Sequence, residues 1–147
     1  MMPARARKRN RKLPLWTGEV VARERIPSPK EIRLHFSVAK CLKDYGHHDW
    51  QWSHFPAGEK RDQKTGEKLR RMGLRPGWPD FILVSPTGIF HGLELKREGE
   101  GLNDDQGEFH AHAKAHGWNV AIVDTFKDAV SVLNDWGCLR IKFAEVR

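Results

Sequence analysis

Between Asp80 and Lys96 the chain reads as two strands and the turn that joins them. Asp80-Phe81-Ile82-Leu83-Val84 is a short apolar run, Ser85-Pro86-Thr87-Gly88 has turn chemistry, and Ile89 to Lys96 runs back as a second strand. Side chains alternate across a strand, so Glu94 and Lys96 share one face while Leu93 and Leu95 share the other. A strand with an apolar face opposite two charges belongs in a sheet that packs a core on one side and partners those charges on the other.

Asp80 opens the neighbouring strand of the same hairpin, where its carboxylate can approach Glu94 across the ladder. Like carboxylates repel and are costly to desolvate. A hard divalent cation removes that cost, and Mg²⁺ favours one or two carboxylates with waters and phosphate oxygens. Gly92, on the face of Glu94, leaves room beside such a site. The simpler alternative is an ion-pair cluster on an exposed sheet face.

The rest of the chain supplies the elements around this hairpin. Ser28-Pro29-Lys30-Glu31 has the form of a capped helix start. Leu34, Val38, Cys41, Leu42 and Tyr45 follow at helical spacing until Gly46, and Glu31 lies one turn before Leu34 near the same face. His48 to Phe55 alternates, with Trp50, Trp52 and His54 on one side, as a strand does. Residues 56–62 read as a loop, Gln63 to Met72 as a short basic helix ended by Gly73, and Leu74 to Pro79 as irregular. Asn103-Asp104-Asp105-Gln106 opens a capped helix that Gly117 ends. Asn119 to Asp124 is a strand, Thr125 caps a last helix, and residues 138–147 suit an edge strand. The order predicts an α/β (α+β) domain with helices flanking a central mixed sheet. Residues 28–147 read as one domain, preceded by a basic, flexible tail over residues 1–27.

Charge is unevenly spread. Residues 1–12 carry six bases and no acid, residues 60–78 carry a net +5, and residues 79–147 a net −4, within a total of +7. A basic tail and a basic internal stretch beside an acidic motif suit a polyanionic partner. Among those bases, Arg61, Lys64, Lys68, Arg71 and Arg75 are candidates for phosphate contacts, and His54 for the approach to the acidic site. No apolar run nears the roughly 20 residues of a membrane helix, and no apolar stretch follows the basic N-terminus as in a secretory signal. Two cysteines, Cys41 and Cys138, make neither a disulfide framework nor a zinc ribbon. His110, His112 and His116 share helical spacing but lack the partners of a zinc motif, and read as exposed or phosphate-touching. Trp50 or Trp52 reads as core, while Trp78 is open between core and a base-stacking ring.

Pro79-Asp80 followed by Glu94-Leu95-Lys96 resembles the PD-(D/E)xK nuclease signature. Together with Arg61-Asp62, Leu69-Arg70-Arg71-Met72-Gly73, Arg75-Pro76-Gly77-Trp78, Arg97 and Gln106, it resembles the VRR-NUC branch, and within that the small stand-alone phage and bacterial type. The resemblance covers about residues 28–137. It implies a restriction-endonuclease-like αβββαβ core and metal-dependent phosphodiester hydrolysis. Carried over by position, Asp80, Glu94 and the Leu95 backbone carbonyl ligate Mg²⁺ or Mn²⁺, and Glu31 joins directly or through water. Lys96 orients and helps deprotonate the attacking water, and Gln106 positions Lys96, the water or the phosphate. Gln106 also suits a purely capping role, since Asn103-x-x-Gln106 is itself a capping box.

These readings predict a DNA endonuclease selective for junctions, flaps or other branched DNA. It would act in replication, recombination or repair, in the cytoplasm of a bacterium or from a phage, and as a homodimer when two strands must be cut. The competing reading is a basic nucleic-acid-binding protein with a nuclease-like fold and no catalysis. A third is an unrelated α/β binding protein, which would show no divalent-cation effect.

Overall fold

The computed structural model describes residues 29–56 and 62–141. The basic N-terminal segment, the expected Ser28 cap, Arg61 and residues 142–147 lie outside the described residues. Described residues 62–75 belong to one compact unit, and 29–56 with 76–141 belong to another.

The larger unit holds α1 (Pro29–Tyr45), β1 (Gln51–His54), β2 (Phe81–Val84), β3 (Phe90–Leu95), α3 (Asp104–Ala115), β4 (Asn119–Val123) and α4 (Phe126–Trp136). The smaller unit holds α2 (Gln63–Arg71), capped at its start by the Asp62 side chain. The sheet order is β1-β2-β3-β4; β1 and β3 run antiparallel to β2, and β4 runs parallel to β3. The α/β (α+β) expectation with a mixed sheet therefore holds, as does the αβββαβ order.

One sheet face makes the core. Phe81, Leu83, Leu93, Leu95 and Val123 pack with Leu34, Val38, Cys41 and Leu42 of α1 and with Ala129, Val130 and Leu133 of α4. Burying such side chains is the main term that holds the unit together. α3 lies over the opposite face, where Trp78, Phe90, Phe109 and Trp118 form a chain of ring contacts, with Trp78 and Phe109 centroids 5.2 Å apart. Trp78 is thus half-buried packing. Trp50 is buried and Trp52 packs partly buried against the core.

Two elements differ from the sequence expectation. β1 is shorter than His48–Phe55 because the Trp50 N–H folds back onto the His47 carbonyl, which makes a turn before the strand. Cys138 onward adds no strand to the sheet among the described residues; Leu139 makes a single isolated bridge to Gly46.

Candidate active site

Two glycines set the approach to Asp80. Gly77 has φ +89° and lies against Asp105 and Gln106, so a Cβ there would strike the Asp105 carbonyl at the start of α3. At Gly92 a Cβ would sit 2.6 Å from Pro79 Cγ. The room at Gly92 is therefore filled by Pro79, a fully buried ring, and is not left open beside the site as the sequence suggested. Between them these contacts fix the Pro76–Pro79 segment against α3 and β3, and Asp80 emerges from it at a set position.

Asp80 then closes the end of the sheet. The β2–β3 register ends at Phe81–Leu93. Beyond it, the Leu95 N–H donates to Asp80 Oδ2 at 2.8 Å, so a carboxylate stands where a strand carbonyl would otherwise be. The N–H and C=O of one strand residue point to the same edge, which directs the Leu95 carbonyl to the Asp80 side as well. The Asp80 carbonyl in turn accepts from the Phe55 N–H and from His54 Nδ1, each at 2.8 Å.

Glu94 and Lys96 project from the face that α3 covers. Their side chains are only 3% and 4% exposed, which rules out a solvated surface cluster. Gln106 joins them: its Nε2 donates to Glu94 Oε1 at 2.6 Å, and its Oε1 accepts from Lys96 Nζ at 2.6 Å. Lys96 Nζ lies 3.5 Å from Glu94 Oε1. The capping box is present too, with Gln106 N–H on Asn103 Oδ1 at 2.9 Å and Asn103 N–H on Gln106 Oε1 at 3.1 Å. Gln106 therefore caps the helix and bridges the charges at once; the two roles are not alternatives.

The charges are out of balance in this setting. Burial raises the Asp80 carboxyl above its usual range, and the Glu31 charge adds to the rise, while the Leu95 N–H opposes it. Burial, and next the Asp80 charge, push Glu94 up to about 8, against the attraction of Lys96. Both carboxylates are thus held in surroundings that disfavour their ionised forms.

Glu31, on α1, lies near enough to act on Asp80, and its carboxylate is 3.9 Å from Arg97 Nε. Arg97 also bonds Glu100 at 3.1 Å. His54 is half-buried, with its Nδ1 turned onto the Asp80 carbonyl. Lys64, Lys68 and Arg71 stand exposed at helical spacing along α2, and Arg75 is exposed beyond it, all within the 62–75 unit.

The sequence reading missed one neighbour of the site. His110 is one turn along α3 from Gln106, and helical side chains lean back toward the N-terminus. Its Nε2 is buried with no hydrogen-bond partner among the described residues. Burial lowers its pKa, and the Lys96 charge lowers it further. The expected surface histidine is therefore a half-buried one, and the i, i+4 spacing from Gln106 was the available signal. His112 and His116 are exposed, with rings stacked at 4.1 Å.

No protein-family model and no curated protein sequence matches the chain. Two solved structures share its fold. A "VRR_NUC domain" is 19% identical with a TM-score of 0.54, covering 74% of this chain and 99% of its own. A "VRR_NUC domain protein" is 16% identical with a TM-score of 0.53, covering 76% of this chain and 90% of its own. The restriction-endonuclease-like fold expected from the sequence is thus the fold this chain shares with VRR_NUC domains.

Proposed function

We propose that the chain is a Mg²⁺- or Mn²⁺-dependent endonuclease that hydrolyses phosphodiester bonds in DNA. The observation that carries this reading is the grouping of buried Glu94 and Lys96 with half-buried Asp80 and Gln106 on a fold shared with VRR_NUC domains. Burying two carboxylates together costs free energy that a structural role alone does not require.

The donor set fits a hard cation. No group of three or more His, Cys, Asp or Glu side chains among the described residues is placed to hold an ion unaided. A cation here would draw on the Asp80 and Glu94 carboxylates, the Leu95 carbonyl and water, with Glu31 reaching it directly or through water. Oxygen donors of this kind suit Mg²⁺ and Mn²⁺. Bound there, the ion would acidify a coordinated water and offset charge on the phosphate.

The remaining steps belong to the chain's own side chains. Lys96, held by Gln106 Oε1, sets a positive group beside the carboxylates, where it can orient the attacking water and meet charge developing on the phosphate. Gln106 fixes the direction of Lys96 at no further cost, because the helix cap already holds it.

Arg61, Lys64, Lys68, Arg71 and Arg75, with the basic N-terminal segment, supply contacts to the DNA backbone. Such contacts read shape more than base edges, so branched DNA, junctions and flaps are the proposed substrates, in replication, recombination or repair. A homodimer would bring two sites to two strands. Among the described residues no helix is long and apolar enough to cross a membrane. The free Cys41 and Cys138 thiols suit a reducing bacterial cytoplasm, the proposed place of action whether the gene is a host's or a phage's.

The test is incubation of labelled single-stranded, duplex, flap and four-way-junction DNA with Mg²⁺, Mn²⁺ or EDTA. Cutting of the branched substrates in either metal, and none in EDTA, is expected. Binding without cutting in every metal would replace the nuclease with a non-catalytic binding protein.

A further inference from the structure

Asp80 is clamped at both ends. Its carboxylate takes the Leu95 N–H, and its carbonyl takes the Phe55 N–H and His54 Nδ1, all at 2.8 Å. The Phe55 bond continues the β1–β2 ladder past its last pair, His54–Phe81. The His54 bond is an addition from a side chain. A carbonyl only accepts, so Nδ1 carries the hydrogen. The ring is braced in that direction: His35 of α1 meets it edge-on at 4.4 Å, and Phe81 lies 6.0 Å away.

The bonded carbonyl belongs to the Asp80–Phe81 peptide. Holding that peptide plane fixes ψ at Asp80, and with it the direction of the Asp80 side chain as the chain leaves the Pro79 bend. The Leu95 N–H then has one carboxylate position to bind. Without the His54 bond, the plane is restrained by the last pairs of two ladders, through Phe55 at the end of β1 and through Phe81–Leu93 on β3, and ladder ends fray.

We propose that His54 is a positioning residue for Asp80: its Nδ1–H holds the Asp80 carbonyl so that the carboxylate stays on the Leu95 N–H, in place for a divalent cation. The cation part rests on the metal reading under Proposed function; the Asp80–Leu95 part does not. The role adds to the place on the approach to the acidic site that the sequence suggested for this residue, because Nδ1 is committed inward to the Asp80 carbonyl.

Asparagine and glutamine separate this role from packing. Asn Nδ2 stands the same number of bonds from Cβ as His Nδ1, whereas Gln Nε2 corresponds to His Nε2. Both variants lose the ring and its contacts with His35 and Phe81. The experiment compares the full chain with His54→Asn and His54→Gln, by calorimetric titration with Mn²⁺ and by hydrogen exchange at the Leu95 amide without metal. His54→Asn is expected to bind Mn²⁺ within about 3-fold of the parent. His54→Gln is expected to bind it about 10-fold or more weakly, the range for lost support behind a metal ligand. Leu95 exchange should quicken about 10-fold in His54→Gln and stay near the parent rate in His54→Asn. Equal Mn²⁺ affinities and equal exchange in the two variants, both retained or both lost, would overturn the proposal and leave His54 as packing. A parent chain that binds no Mn²⁺ would overturn the metal reading and the cation part with it, while the Leu95 exchange would still decide whether His54 holds Asp80.

Discussion

Gln106 spans Lys96 and Glu94, accepting from the lysine Nζ and donating to the glutamate Oε1 at 2.6 Å each. The same Oε1 accepts the Asn103 N–H, so one amide oxygen serves both a helix cap and the buried Lys96. Removing Gln106 and removing Asn103 should therefore differ. Gln106→Ala leaves Lys96 and Glu94 without their bridge and should cut turnover about 10²-fold, as losing a preorganised polar group does. Asn103→Ala loses only the cap and should cost about 1 kcal/mol of stability with a change in turnover of less than about 3-fold. Melting curves and single-turnover cleavage rates on both variants check this, and similar activity losses would contradict it.

The raised Glu94 makes stability depend on pH in a defined direction. Its pKa rises from 4.5 to about 8 on folding, so the folded protein holds that proton more tightly than the unfolded chain. The contribution is fully present below about 4.5 and is lost as the pH rises through about 8. The metal-free chain should lose melting temperature over that window, and Glu94→Gln should flatten the loss by removing the titrating group. Saturating Mn²⁺ should restore more stability near pH 8 than near pH 5, since the ionised carboxylate is the proposed ligand. Melting curves across the window, with and without Mn²⁺, test the sign. A parent and a Glu94→Gln variant with the same pH slope would contradict it.

Pro79 against Gly92 should be intolerant of a methyl group. Gly92→Ala places a Cβ 2.6 Å from Pro79 Cγ, and Pro79 is fully buried with Asp80 next to it. Overpacking of this kind costs about 1–3 kcal/mol. The displacement also passes to Asp80, so Mn²⁺ affinity should fall together with the melting temperature. A stable variant with unchanged Mn²⁺ binding would show that the contact has slack.

The N-terminal bases should act on DNA affinity alone. Deleting residues 1–12 removes six positive charges. Each lost phosphate contact should lower the slope of log affinity against log salt by about 0.9. Binding curves at several salt concentrations measure that slope, and metal-dependent cleavage at saturating protein should be unchanged. An unaltered slope would remove the tail from the interface.

Much of this architecture was legible because it rests on local chemistry. The 80–96 hairpin, the Asn103–Gln106 box and the Thr125 cap each declare themselves within a few residues, and the structure has all three. Alternation in β3 placed Glu94 and Lys96 on one face, but it said nothing of what covers that face. Their burial under α3, and the filling of the Gly92 space by Pro79, depend on segments brought together by the fold. His54 shows the same limit. Its partner is a backbone carbonyl 26 residues away, to which no spacing rule points. His110 was closer to reach, one helical turn from Gln106, yet its burial follows from how α3 lies on the sheet.

The most direct measurement is the cleavage rate of labelled four-way-junction and flap DNA in Mg²⁺ by the parent chain and by Lys96→Ala, with DNA affinity measured in EDTA on the same preparations. The parent is expected to cut. The variant should bind within a few-fold of the parent and cut about 10²-fold more slowly or not at all. Equal cutting by parent and variant would contradict the role of Lys96, and no cutting by a parent that binds DNA well would contradict the nuclease itself.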